Sequence, residues 1–293
     1  MIHRKTYVFV VNPIAGGNDK TEIIEAVENY ANTININIVV LETSGNGDAE
    51  NVLELYKKHK PERVLVAGGD GTIKMVSESL KNEDFILGIV PSGSANGLSV
   101  DLGFPKDLNE VLQIAFNNSF MEMDMICIND ETSLHLSDIG LNAELIKNYE
   151  ASTIRGKLGY AIQSFNTLKD QETPFMVTVN VNDVTFHAEA KMVVIANSRR
   201  YGTGVTINPF GKMDDGKFEI IILKNLDLFL FGKIVMGNMP LSSDDVEIIS
   251  ADKATIMTNL PVHFQIDGEY FGLVQELKIQ ILPKAIKIAV PII

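Results

Sequence analysis

Basic residues are in short supply: 25 Lys and Arg stand against 38 Asp and Glu, a formal net charge of −13. Binding a nucleic-acid backbone relies on clustered Lys and Arg that release counterions, so nucleic acid is not an expected partner. Anionic membrane surfaces are disfavoured too, outside a local basic patch. Cysteine is nearly absent. With Cys127 alone there is no intramolecular disulfide framework and no cysteine-based zinc cluster, which fits a reducing compartment and makes the cytoplasm the default. No apolar run reaches the length of a membrane span. The nearest, Leu226 to Met239, is interrupted by Asp227, Gly232, Lys233 and Gly237, so lipid contact is expected to be peripheral. The start, Met1-Ile2-His3-Arg4-Lys5, moves straight into the strand-like Tyr7–Val11 without a small-residue cleavage site, and no signal peptide is read. His3, His59, His135, His187 and His263 show no metal-ligand spacing. Internal repeats, low-complexity tracts and extended linkers are also missing.

What is present is enough apolar material, 45% of 293 residues, for two well-packed domains. In the first ~120 residues, runs rich in Val and Ile alternate with helical periodicity, as in a parallel sheet covered by helices on both faces. Strands are predicted at Tyr7–Val11, Ile36–Leu41, Arg63–Ala67 and Ile86–Val90, and helices at Asp19–Asn32, Asp48–Lys60 and Ile73–Lys81. Asp107-Leu108-Asn109-Glu110 has the form of a capping box that opens a helix through Asn117. From about Met121 short alternating runs take over: Met176–Val181, Val184–Val194, Phe218–Leu223, Val246–Ile249, Val262–Ile266, Leu277–Ile281 and Ile286–Val290. Asn182-Asp183, Asp215-Gly216 and Asp267-Gly268 punctuate them, the pattern of an antiparallel sandwich or barrel. Residues 156–169 and 225–239 read as flanking helices, and Phe229, Leu230 and Phe231 as helix core or the wall of an acyl-chain groove.

Small-residue turns follow each predicted strand of the first domain. Val64-Leu65-Val66-Ala67 breaks into Gly68-Gly69-Asp70-Gly71-Thr72; Tyr7–Val11 runs into Asn12-Pro13-Ile14-Ala15-Gly16-Gly17; Ile86–Val90 runs into Pro91-Ser92-Gly93-Ser94-Ala95-Asn96. Thr43-Ser44-Gly45-Asn46-Gly47-Asp48 adds a fourth. A turn that brings backbone N–H groups against phosphate oxygens needs its side chains removed. In a parallel sheet these turns share one edge, where ligands of open α/β folds bind. The glycine spacing fits neither a P-loop nor a dinucleotide fingerprint.

Taken together, Asn12-Pro-x-Ala-Gly-Gly, Thr43-x₃-Gly47-Asp48-Ala49, Gly68-Gly-Asp-Gly-Thr72 and Pro91-x-Gly-Ser-Ala-Asn96 resemble the catalytic-domain signature of the diacylglycerol kinase family, which includes bacterial lipid kinases and the sphingosine and ceramide kinases. The similarity continues more loosely through Leu136–Ala143, Arg155–Tyr160, Asp214-Asp215-Gly216 and Ile266-Asp267-Gly268-Glu269. It implies an α/β N-terminal domain with a parallel sheet and helices on both faces, residues 1–122. A C-terminal antiparallel β-sandwich domain, 123–285, faces it across a cleft, with 286–293 able to return to the first domain. The implied activity is an ATP- and Mg²⁺-dependent transfer of the γ-phosphate to a lipid hydroxyl such as that of diacylglycerol, at a membrane reached peripherally by a cytoplasmic enzyme.

Such a transfer needs charge neutralisation on the β and γ oxygens and a positioned hydroxyl. Asp70 is the first-domain carboxylate placed to organise Mg²⁺, directly or through water. Gly68, Gly69, Gly71 and Thr72 supply donors, and Asn12, Gly16, Gly17, Thr43, Gly93, Ser94 and Asn96 complete the nucleotide pocket. Asp267 and Glu269 share a face if the strand Val262–Phe271 is unbroken, and paired carboxylates raise one pKa toward the range of a general base. The resemblance puts the catalytic base in this Asp-Gly-Glu, with Glu269 preferred and Asp267 the alternate; the plain reading is a turn followed by a solvated Glu. Asp215 resembles the position that binds a structural Mg²⁺ together with the carbonyls of Lys212 and Lys217, with Asp214 helping through water. Its plain reading is a turn between two strands.

Two positions depart from many relatives. Ile73-Lys74-Met75 stands where a small residue followed by Asn-Glu is common, and Gly97 replaces an acidic residue. Alternatives are therefore an NAD kinase-like enzyme, whose family shares Gly-Gly-Asp-Gly-Thr, or a nucleotide-binding regulatory protein without turnover. Homo-oligomerisation is compatible with all three.

Overall fold

Along Thr6–Val11 (β1) every residue after the first is buried, the mark of a strand covered on both faces. It is followed by α1 (Thr21–Thr33), β2 (Asn37–Glu42), α2 (Asp48–His59), β3 (Arg63–Gly68), α3 (Asp70–Ser79), β4 (Ile86–Pro91), α4 (Gly97–Asp101) and α5 (Leu108–Phe116). Next come β5 (Phe120–Ile128), β6 (Glu131–Ser133), β7 (Leu136–Gly140), β8 (Phe175–Val181), β9 (Val184–Ala190), β10 (Met192–Ala196), β11 (Phe218–Leu223), β12 (Val246–Ala251), β13 (Lys253–Ile266) and β14 (Glu269–Ala289). The computed structural model describes residues 4–94, 96–141, 143, 174–200, 206–224 and 244–292. The helices expected at 156–169 and 225–239, the Arg155–Tyr160 similarity and Phe229–Phe231 lie outside the described residues. Contacts divide the chain into two units, one running to Met123 and resuming at Lys284, the other Asp124–Pro283.

In the first unit the strands lie in the order β14-β4-β3-β1-β2, and every pairing is parallel. The chain leaves β1 for β2 on one side and comes back to β3 on the other, which puts the topological switch point between β1 and β3. Val27 and Ala31 of α1 and Val111, Leu112, Ala115 and Phe116 of α5 cover Phe9, Val11, Leu65 and Ala67 on one face. Val8, Val10, Val64 and Val66 point to the other, where α2 and α3 pack. The α5 N-terminus is capped by Asp107, whose carboxylate accepts from the amides of Asn109 (3.0 Å) and Glu110 (3.1 Å). At its C-terminal end the buried Arg63 donates to the carbonyls of Ala115, at 2.9 Å, and Asn117.

The second unit is antiparallel. β7, β10, β11 and β12 form a sheet with apolar clusters on both faces: Ile139, Val193, Ile195 and Ile220 belong to one, and Leu136, Val194, Ile221 and Val246 to the other. β13 joins two sheets. Its first half pairs with β8 and its last residues with β7, and its register against β14 shifts between Met257 and Val262 and again between Phe264 and Gln265. The run expected as one strand, Val184–Val194, is two, because β9 pairs with β8 while β10 inserts between β7 and β11. Conversely, Leu277–Ile281 and Ile286–Val290 merge into β14, which changes partner from β13 to β4 without a break in the strand.

Candidate functional site

The loop after β3 is shorter than its sequence suggests. Strand runs through Gly68 and helix begins at Asp70, leaving Gly69 as the whole connection. Around it the turns of the first unit touch. A Cβ on Gly93 would lie 2.4 Å from the Gly69 Cα, and one on Gly16 would lie 2.7 Å from the Ser92 carbonyl oxygen. A Cβ on Gly68 would lie 2.5 Å from that of Thr72. The absent side chains at these positions let loop meet loop, a requirement that holds before any ligand arrives. Asn12 Nδ2 donates to Thr72 Oγ1 at 3.1 Å, which joins the β1 turn to the start of α3. Asn96, at φ 56°, closes its own loop by accepting from the Gly93 amide (2.8 Å) and donating to the Gly93 carbonyl (3.0 Å).

Asp70 fastens the arrangement. Its Oδ2 accepts the Gly97 amide at 2.7 Å and its Oδ1 the Leu98 amide at 3.1 Å, capping the first turn of α4. The carboxylate read from the sequence as the organiser of a metal thus has a backbone donor on each oxygen. Gly97 contributes one of them through its amide. Gly16, Gly17, Gly71 and Ser94 are exposed. The fourth turn behaves differently: Asp48 accepts the amides of Ser44 (2.9 Å) and Gly45 (2.8 Å). The Ser44 amide bond is the main reason its carboxyl lies below the ordinary carboxylate value. Asp48 thereby ties the turn to the start of α2, while Thr43 is tied through its own amide to the Val11 carbonyl at 2.8 Å.

In the second unit the condition of an unbroken strand over Val262–Phe271 is not met: the chain turns at Asp267-Gly268, as the plain reading had it. Asp267 (φ 50°) and Gly268 (φ 89°) form a two-residue turn between β13 and β14, so the shared-face argument for Asp267 and Glu269 does not hold. Left-handed backbone at both central positions is what a tight hairpin requires. The Asp267 carboxylate accepts from Ser133 Oγ (3.0 Å) and from the amides of Leu134 (2.8 Å), His135 (2.9 Å) and Leu136 (3.1 Å). Four donors make it the anchor of the turn. Glu269, the first residue of β14, is exposed.

Asp215-Gly216 is not a hairpin turn: the loop leads into β11 from irregular chain. Asp214, Asp215, Lys212 and Lys217 line this loop, and Asp215 Oδ1 accepts the Lys217 amide at 3.1 Å. Beneath the loop the buried Asp124 accepts the Gly216 amide at 2.7 Å and donates its own amide to the Met213 carbonyl, also at 2.7 Å. Glu219, the second residue of β11, is buried with Asn208 Nδ2 at 2.6 Å and Ser250 Oγ at 3.2 Å. Burial pushes its carboxyl above the ordinary range, with Asp215 adding to the rise and the two hydrogen bonds opposing it. Among the described residues no group of three or more His, Cys, Asp or Glu converges as a metal cluster.

Several structuring residues escaped the sequence reading. Lys20 is buried under the β1 turn, its ammonium donating to the carbonyls of Ala15 (2.5 Å) and Asn18 (2.7 Å). Asp124, Asp138 and Gln265 are buried in strands. Their one legible signal was a polar residue inside an otherwise apolar, buried run.

Residues 6–128 match the diacylglycerol kinase catalytic domain, and residues 138–290 the YegS C-terminal NAD kinase beta sandwich-like domain. A probable lipid kinase, YegS, of Salmonella dublin is 28% identical over 265 residues, covering 87% of this chain and 87% of that protein. An uncharacterised protein of Synechocystis is 26% identical, covering 98% of this chain and 71% of the other. A crystal structure of a putative diacylglycerol kinase from Bacillus anthracis superposes with a TM-score of 0.81 at 21% identity, covering 99% of each chain. The linked glycine turns of the first unit and the antiparallel second unit are therefore features of a recognised architecture, and the chain belongs to the diacylglycerol kinase catalytic-domain family, in the bacterial lipid-kinase group that carries a YegS-type C-terminal domain.

Proposed function

We propose that this chain is an ATP- and Mg²⁺-dependent kinase that phosphorylates a lipid hydroxyl such as that of diacylglycerol. The observation that carries the reading is the locking together of the turns after β1, β3 and β4 through Gly16, Gly69, Gly93, Asn12 and Asp70. Turns held in register at the switch-point edge of a parallel sheet, next to the N-terminus of α3, offer amides to a polyphosphate. ATP supplies the phosphoryl group, and Mg²⁺ the charge neutralisation on its oxygens. Gly16, Gly17, Gly68, Gly69, Gly71, Thr72, Gly93, Ser94 and Asn96 line the nucleotide site, with Asn12 bracing Thr72. Asp70 keeps the β3 and β4 turns in register and meets a cation through water.

Glu269 is the proposed general base. It stands at a turn anchored by Asp267 and takes the proton of the acceptor hydroxyl as that oxygen attacks phosphorus. A further Mg²⁺ fits the 212–217 loop: Asp215 offers a carboxylate, the Lys212 and Lys217 carbonyls are neighbours in the same loop, and an oxygen-only donor set suits that ion. Its part is to stiffen the loop.

No helix among the described residues is long and apolar enough to cross a membrane, and the proposed acceptor is met peripherally. The test is transfer from radiolabelled ATP in saturating Mg²⁺ to a panel of diacylglycerol, sphingoid bases and extracted lipids, with NAD alongside. A labelled lipid that disappears in Asp70→Asn and Glu269→Gln supports the proposal. Labelled NADP in its place favours the NAD kinase-like alternative, and nucleotide binding with no labelled product favours the regulatory one.

A further inference from the structure

Behind the hairpin that carries Glu269 lies a pair of buried polar side chains. Gln265, on β13, is 1% exposed and Asp138, on β7, is 0% exposed; they face each other in the antiparallel register of β13 and β7. Gln265 Nε2 donates to Asp138 Oδ2 at 2.5 Å, and its Oε1 accepts the amide of Gly268 at 2.7 Å. The Gln265 amide group therefore has its polarity fixed from one side by a carboxylate, and with the other side it grips the residue that precedes Glu269. On the opposite flank Asp267 donates its amide to the Leu136 carbonyl at 3.0 Å and takes the four donors described above. A two-residue turn held so tightly has little freedom to swing the first residue of β14.

We propose that Gln265 and Asp138 are positioning residues that set the direction of the Glu269 carboxylate through the Gly268 amide. This rests on the reading of Glu269 as the general base. The energetic reason is the burial of the pair: two acceptors forced together here have no water to relieve them. A loosened turn moves the base away from the geometry in which it removes a proton, and displacements near ~1 Å cost on the order of 10²-fold in rate.

A polarity exchange tests this. Gln265→Glu alone sets two carboxylates against each other. Asp138→Asn alone is milder, because the new amide can turn its oxygen toward the Gln265 NH₂ group. The double variant restores one donor and one acceptor: the amide introduced at position 138 donates to the carboxylate introduced at position 265, which still accepts the Gly268 amide. In steady-state assays of the full chain, Gln265→Glu is expected to lose ~30- to 100-fold in kcat with the KM for ATP unchanged. Adding Asp138→Asn to it should return kcat to within about threefold of wild type. Rescue of kcat shows that the two side chains act as a pair, and thermal melts of all four proteins at the assay temperature separate a lower kcat of folded enzyme from a loss of folded protein. Gln265→Glu with wild-type kcat, or a double variant no better than Gln265→Glu, overturns the positioning role. A Glu269→Gln variant with full turnover instead overturns the assignment of the base, so the two failures are told apart.

Discussion

Gly93→Ala adds only a methyl group, yet it is expected to disable the nucleotide site. The new Cβ would start 2.4 Å from the Gly69 Cα, 3.0 Å from the Gly69 nitrogen and 2.9 Å from Asn96 Oδ1. Ordinary van der Waals contact begins near 3.4 Å, so the β3 and β4 turns must part by about 1 Å. Nothing near the Gly69 Cα is a flexible side-chain end that can move aside; the obstacle is backbone. Overpacking of this kind costs ~1–3 kcal/mol, a fall of roughly 3–9 °C in the melting temperature for a unit of this size. The displacement also separates two turns proposed to present amides to the same phosphates. A ~1 Å error there is expected to lower kcat/KM for ATP by about 10²-fold. Two controls isolate the cause. Gly69→Ala meets the Gly93 Cα across the same contact at 3.3 Å and should lose only a few-fold. Gly103→Ala, at φ +74° in open space, should lose ~1–2 kcal/mol of stability with no change in ATP affinity. The measurements are melts, initial rates at varied ATP, and ATP titrations by fluorescence or calorimetry. Gly93→Ala with wild-type ATP affinity would refute the claim that the two turns form one site.

Other outcomes follow from the same geometry. Asp267→Ala strips four donors of their acceptor, three of them consecutive amides, and should lower stability in urea by about 3 kcal/mol. A change under ~1 kcal/mol would show that water replaces the carboxylate there. Glu269→Gln should cut turnover by ~10²- to 10⁴-fold while leaving the KM for ATP in place, as read by initial rates with saturating lipid. Glu219 has a raised folded-state carboxyl pKa because it is buried, so in the window from the ordinary carboxylate value up to that raised value the folded protein holds the extra proton. Stability is therefore expected to fall as pH rises through this window, and Glu219→Gln should flatten that slope in denaturant melts. An unchanged slope would place the titration elsewhere. In Asp215→Asn, the increase in melting temperature that Mg²⁺ gives wild type should be lost; an equal increase in both proteins would remove the 212–217 loop as the cation site.

Much of the framework was legible because local physics dictated it. β1, β3 and β4 are Val-rich apolar runs, the last two ended by glycine and proline, and in the structure they extend the predicted strands by one residue at most. Asp107 caps its helix as its spacing implied. The short helix α4 was not foreseen, since Gly97 and Ser99 are poor helix formers and its start depends on Asp70, a residue of another turn. The division of Val184–Val194 into β9 and β10 was hidden for a similar reason: periodicity reports that residues alternate, and only partner strands decide where the chain changes sheet.

The sequence by itself determined that small-residue turns would crowd one edge of a parallel sheet, since the strands, their order of polarity and the glycines are local properties of the chain. It also specified a turn at Asp267-Gly268, whose residues tolerate left-handed backbone. Tertiary structure alone decided what the carboxylates do. Asp70, Asp124 and Asp267 look alike in one dimension, and each is assigned by the amides that reach it from segments 27 to 133 positions away. A carboxylate's role depends on which donors surround it, and those arrive only when distant parts of the chain pack together.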